Sequence, residues 1–139
     1  MLSATTQANF KNLNSTFGNF SSTFSLTWTT TTTQDTVMFY NGPKYFMPVE
    51  AFVYLVARTG TIGCSILAGN AAGSAIYVPS YLFTSLSVGS FASTVIAADS
   101  TTKVALAPGG ALWVRLSGQN PSGASNSVTV KFFISGYYR

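Results

Sequence analysis

From residue 36 onward, apolar residues come in short runs in which inward and outward positions alternate with a period of two. Leu112, Val114 and Leu116 stand against Trp113 and Arg115. Val128, Val130 and Phe132 stand against Thr129, Lys131 and Phe133. Strand side chains point alternately to opposite faces, so each run predicts a strand with one face on a core. Runs of this kind fall at 36–41, 49–58, 61–70, 75–78, 81–88, 93–98, 101–106, 111–116 and 127–138. Between them lie turn formers: "NGP" at 41–43, "TG" at 59–60, Pro79, "PGG" at 108–110 and "SGQNPSGASN" at 117–126. The short "TG" link predicts that 49–58 and 61–70 pair as an antiparallel hairpin. No part of this region sustains a 3.6-residue period. The pattern predicts an all-β fold, an antiparallel β-sandwich or jelly roll.

Residues 1–35 have a different texture. They are rich in Thr, Ser and Asn and contain no proline. The change near Gln34 and Asp35 divides the chain into an extended N-terminal arm or strap, 1–35, and a sandwich body, 36–139. In the arm Phe10, Leu13, Phe17, Phe20 and Phe24 are spaced 3, 4, 3, 4, the rhythm of a heptad. The residues between them are mostly Asn, Ser, Thr and Gly, which form helices poorly. A helical arm and a disordered tail therefore rank below an extended arm whose rings dock one by one onto the body or a neighbour. Thr29 to Thr33 have high β propensity and no apolar alternation, which suits an edge strand or a strap. The candidate partner-binding residues are Phe10, Leu13, Phe17, Phe20, Phe24 and Trp28.

Composition narrows the chemistry. Only 7% of the 139 residues are charged, so solubility has to come from hydroxyls, amides and glycine. The net charge of +4 reflects few acids, and the basic residues form no stripe of the kind that reads phosphates. Nucleic acid is not an expected partner. No apolar run reaches the length of a membrane span, and residues 1–10 do not read as a signal peptide. Cys64 is the single cysteine, expected to be buried in its strand.

Histidine is absent, which removes the commonest general base and metal ligand. The three carboxylates, Asp35, Glu50 and Asp99, are far apart in sequence. Glu50 and Asp99 are the pair that could flank a glycosidic bond, but they read more simply as an outward strand residue and a turn residue. No phosphate loop, nucleophile elbow or calcium loop is present. The chain reads as a non-enzyme without cofactor or metal. Aromatic residues are abundant instead: eleven Phe, seven Tyr and two Trp. Trp28, Tyr40, Tyr45, Tyr77 and Tyr81 are candidates for stacking on sugars. Trp28 and Trp113 read first as core or interface residues.

The segments "AFVYLVARTGTIGCSILAGN" and "VALAPGGALWVRLSGQNPSGASNSVTVKFFISGYY" carry a resemblance. Together they resemble small β-sandwich or jelly-roll virion proteins of tailed phages, namely capsid cement (decoration) proteins and related fibre modules. The matching stretches are Val53 to Gly60 and Gly109 to Tyr137, and the arm is not covered. The resemblance implies a non-enzymatic virion protein on the capsid surface. It would be a homotrimer standing where several subunits of the major capsid protein meet. The alternative is a receptor- or glycan-binding module of a tail or head fibre.

Overall fold

The structure, a computed structural model, describes residues 17–59, 63–83, 86–94, 105–119 and 125–139. It contains eight strands: β1 (Phe17–Trp28), β2 (Thr32–Tyr40), β3 (Phe46–Thr59), β4 (Cys64–Gly69), β5 (Val78–Leu82), β6 (Phe91–Thr94), β7 (Ala111–Gly118) and β8 (Asn126–Tyr138). No helix occurs among the described residues. One sheet has the order β1-β8-β3-β6 and the other β2-β7-β4-β5. All pairs are antiparallel, as the all-β sandwich reading expects.

The pairing follows a simple rule. β1 pairs with β8, β2 with β7, β3 with β6 and β4 with β5. A single long hairpin, wrapped around a core, gives this order. β8 against β3 and β7 against β4 then complete the two sheets. This is the double-sheet jelly roll.

Even-numbered residues of β7 and β8 point inward, as their alternation predicts. Leu112, Val114, Leu116, Val128, Val130, Phe132 and Ile134 are all buried. They meet Val53 and Leu55 of β3 and Ile66 and Ala68 of β4 in one core. One end of the sandwich is closed by rings. Phe20 stacks on Phe39 with centroids 3.7 Å apart. Phe46 stands edge-on to both at 5.4 and 5.7 Å, and Tyr138 leans on Phe46 at 5.2 Å. Behind them the buried Asn41 donates from Nδ2 toward the carbonyls of Lys44, Leu106 and Ala107. Three carbonyls around one nitrogen demand a donor there, so this amide ties the 41–46 and 105–110 segments together. The other end is held by Trp28. Its indole donates to the Gln119 carbonyl at 2.6 Å, and its ring lies against the Cα of Gly118, where a Cβ would overlap it.

Several expectations change. Over its described part, 17–35, the arm belongs to the sandwich. β1 pairs with β8 from Phe17 opposite Tyr137 to Trp28 opposite Asn126, and Thr32 to Asp35 pair with β7. The heptad spacing concealed a period of two. Phe20, Phe24, Leu26 and Trp28 face inward, while Asn19, Ser21, Thr23, Ser25 and Thr27 face outward; only Ser22 interrupts the series. The threonine run is a corner between sheets. Trp28 ends one strand, Thr32 opens β2, and the Thr32 hydroxyl donates to the Thr30 carbonyl at 2.7 Å.

The hairpin expected from 49–58 and 61–70 does not form. β3 and β4 lie in different sheets, because β3 is already bonded to β8 and β6, and β4 to β7 and β5. Among the described residues the strands expected at 75–78 and 81–88 give way to one, β5, which carries Pro79; residues 84–85 lie outside them. As the edge of its sheet β5 tolerates a residue without an N–H. Of the run at 101–106, 101–104 lie outside the described residues; Leu106 forms an isolated bridge with Phe46.

Asp35 and Arg115 face each other across β2 and β7. Arg115 donates from Nε and a terminal nitrogen to the two carboxylate oxygens, both at 2.8 Å. Hydrogen bonding from Arg115 holds the Asp35 carboxyl below its usual 3.8. A depressed carboxyl stabilises the folded state above its unfolded value and loses that stabilisation as pH falls through the folded value. Asp35→Asn should therefore lower the melting temperature slightly at neutral pH, the pair being partly exposed, and the two proteins should converge as pH falls below about 3.8.

Cys64 is 1% exposed, and burial pushes its thiol up to about 12. At pH 8 it should react with thiol reagents only at the rate of unfolding, followed by mass spectrometry across a denaturant series. Deleting residues 1–35 strips β1 from β8 and removes Phe24, Leu26 and Trp28 from the core. The shortened chain should lose its cooperative melt. Phe24→Ala alone should cost about 3–5 kcal/mol in denaturant unfolding.

Candidate functional site

The described residues hold little catalytic chemistry. No group of three His, Cys, Asp or Glu side chains lies close enough to hold a metal ion among them. Asp35 is committed to Arg115. Glu50 is exposed on β3, and Asp99 lies outside the described residues. What the fold does present is aromatic surface, in two places.

The first is the end closed by the Phe20–Phe39–Phe46 stack. Phe17 and Tyr137 are opposite each other on β1 and β8, and both are exposed. Tyr45 is held beside them by paired backbone bonds with Arg139. Tyr40, the last residue of β2, is the most exposed ring among the described residues at 73%. Lys44 and Arg139, both exposed, add positive charge at the same end.

The second is the outer face of the β1-β8-β3-β6 sheet. Register sets side chains in rows across the strands. Asn19, Ser135 and Glu50 form one row, and Ser21, Phe133, Phe52 and Ser93 the next. Thr23, Lys131, Tyr54 and Phe91 form the third. Phe91 lies 4.6 Å from Tyr54 and 6.1 Å from Phe133, centroid to centroid. Lys131 Nζ stands 5.4 Å from the Phe133 centroid, a distance at which a cation is attracted by the ring. Phe52, Phe91 and Phe133, with Asn19, Glu50 and Ser135, line an open cleft of about 550 Å³. Farther along, the face becomes a ladder of hydroxyls. Ser25 bonds Thr129 at 3.0 Å and Thr59 bonds Ser127 at 2.9 Å.

The expected partner-binding residues separate sharply. Phe10 and Leu13 lie outside the described residues. Phe17 is exposed at 67% and is available for contact. Phe20 is half-buried in the end stack, and Phe24 and Trp28 are core residues. Of the sugar-stacking candidates, Tyr40 and Tyr45 are exposed and Tyr81 is half-buried. Tyr77 is fully buried, and burial pushes its phenol up to about 12.

The aromatic face itself was missed. Its signal was present in "AFVYLV" at 51–56. Aromatic Phe52 and Tyr54 alternate with aliphatic Val53 and Leu55, so both faces of β3 are apolar. A strand apolar on both faces has something to cover on each.

No family model matches the chain, and no curated protein matches it. Solved structures resemble it distantly. A chain of the cyanophage Pam1 capsid asymmetric unit shares 17% identity at a TM-score of 0.49, over 89% of this chain and 87% of that one. A chain of the acid-stable capsid of Helicobacter pylori bacteriophage KHP30 shares 8% at 0.45, over 87% and 92%. A chain of infectious bursal disease virus, Gx strain, shares 10% at 0.34, over 88% of this chain but 36% of its own length. Likeness of this degree recurs among sandwiches of unrelated ancestry and function.

Proposed function

We propose that this chain is a non-enzymatic structural protein of a phage particle. It acts as a cement or decoration protein on the capsid surface, binding across neighbouring subunits of the major capsid protein. The observation that carries the reading is the set of exposed rings at one end of the sandwich, Phe17, Tyr45 and Tyr137 on the side of the β1-β8-β3-β6 sheet and Tyr40 on the other sheet. Exposed rings of this kind are costly on a free monomer and useful against a fixed partner. Each ring fully covered contributes about 1.5–3 kcal/mol. The surface around it is neutral and rich in hydroxyls, which suits lasting contact with a neighbour more than free diffusion. The sequence resemblance to capsid cement proteins supports the same reading. A homotrimer is part of the proposal, since closed symmetry would cover apolar surface on every copy.

Tyr40 and Tyr45 also favour a second reading, a receptor- or glycan-binding module of a tail or head fibre. Exposed tyrosines offer both a ring face and a hydroxyl to a sugar.

Co-sedimentation with capsids lacking the protein separates the two. The wild-type chain should bind saturably, and Phe17→Ser combined with Tyr137→Ser should weaken binding at least about tenfold, the loss of roughly 1.4 kcal/mol or more. Both side chains are exposed, so the melting temperature should shift by only a few degrees. Retention on host-surface glycans with no capsid binding would select the fibre module instead. In analytical ultracentrifugation the protein should sediment as a trimer at micromolar concentration. A 14.7 kDa monomer throughout would exclude that part of the proposal.

A further inference from the structure

The cleft on the outer face of the β1-β8-β3-β6 sheet is open among the described residues. We propose that Phe10 docks in its own copy's cleft against Phe52, Phe91 and Phe133, with the Lys11 ammonium on the Glu50 carboxylate. This goes beyond the proposed capsid attachment, which rests on the aromatic end.

Three observations lead there. The cleft pairs an aromatic row with one carboxylate, and Glu50 makes no ion pair among the described residues. In residues 1–16 an aromatic residue and a cation stand side by side once, at Phe10 and Lys11. Lys11 is also the single charged side chain of that segment, so the match of ring to rings and cation to carboxylate has one solution.

Distance then selects this copy's own segment. Phe17 begins β1 at the edge of the sheet, and Asn19, two residues on, already lines the cleft. The Glu50 position is two residues along and two strands across from Phe17, about 12 Å at standard strand spacings. The Phe133–Phe52 row lies about 14–16 Å away by the same measure. Six or seven residues separate Lys11 and Phe10 from Phe17 and span at most about 20–25 Å. Asn14 and Ser15 are turn formers, suited to the reversal that the path requires. A tether this short gives a local concentration in the millimolar range, which a second copy at micromolar concentration does not match.

Cross-linking tests the proposal in the full-length chain, with Phe10 and Lys11 kept. Asn9→Cys is combined with Ser93→Cys, which flanks Phe52 across β3 and β6. In a matched control Asn9→Cys is combined with Thr23→Cys. Thr23 faces outward from β1 at a similar distance from Phe17, about 20 Å, but on the polar side. Cys64 is buried and stays in place.

Under mild oxidation the Ser93→Cys pair should close as an intramolecular disulfide about tenfold faster than the Thr23→Cys pair. Phe10→Ser in the same background should bring the two rates together. Lys11→Glu should slow closure, and Glu50→Lys added to it should restore the rate. Equal rates at the two positions would mean that the tether alone sets the reaction, and would overturn the proposal. A disulfide-linked dimer would overturn it in favour of a second copy as the occupant. Absence of any disulfide at Ser93→Cys would overturn it as well.

Discussion

The long central strand β8 is the constraint on which this molecule depends. Between Asn126 and Tyr138 it is bonded on one side to β1 and on the other to β3. Its inward residues Val128, Val130, Phe132 and Ile134 form much of the core. Its outward residues Lys131, Phe133, Ser135 and Tyr137 set the rows of the outer face and one edge of the aromatic end. A strand bonded on both sides cannot slip by one residue without turning its core set outward. That single register therefore fixes the interior and, on the reverse side of the same strand, the surfaces available to partners.

Both surfaces follow from a shortage of charge. With few ionic groups to spread over the exterior, the exposed faces sort into hydroxyl ladders and aromatic clusters. Ser25–Thr129 and Thr59–Ser127 satisfy their own hydroxyls. The aromatic end and the cleft are left uncovered by the described residues. A surface of that kind is better suited to binding by shape and apolar area than to steering by charge.

The fold was legible in the sequence where alternation was clean. β7 and β8 could be read almost residue by residue from Leu112–Leu116 and Val128–Phe132, because their inward and outward residues differ in kind. β1 was obscured by two coincidences. Ser22 breaks its inward series, and Phe10, Leu13 and Phe17 extend a heptad-like spacing through Phe20 and Phe24. Partners were not legible at all. The link at 59–60 suggests a hairpin, yet β3 and β4 part into separate sheets, a choice made by the competing pairs with β8 and β7. The candidate surface was partly readable. Phe17 stood out among its polar neighbours, whereas the Phe52–Phe91–Phe133 group requires three strands to come together.

The wrapped hairpin also sets the order in which the chain can fold. Ser25 and Thr129 bond across a sequence separation of 104, so β1 waits for almost all of the described strands before it finds β8. Contacts of such separation make folding slow, because loop closure costs entropy before any bond repays it. Of the eight described strands, β1 and β8 are the most widely separated partners. An outward series of Asn, Ser and Thr suits a strand in that position, because an apolar edge left unpaired invites aggregation.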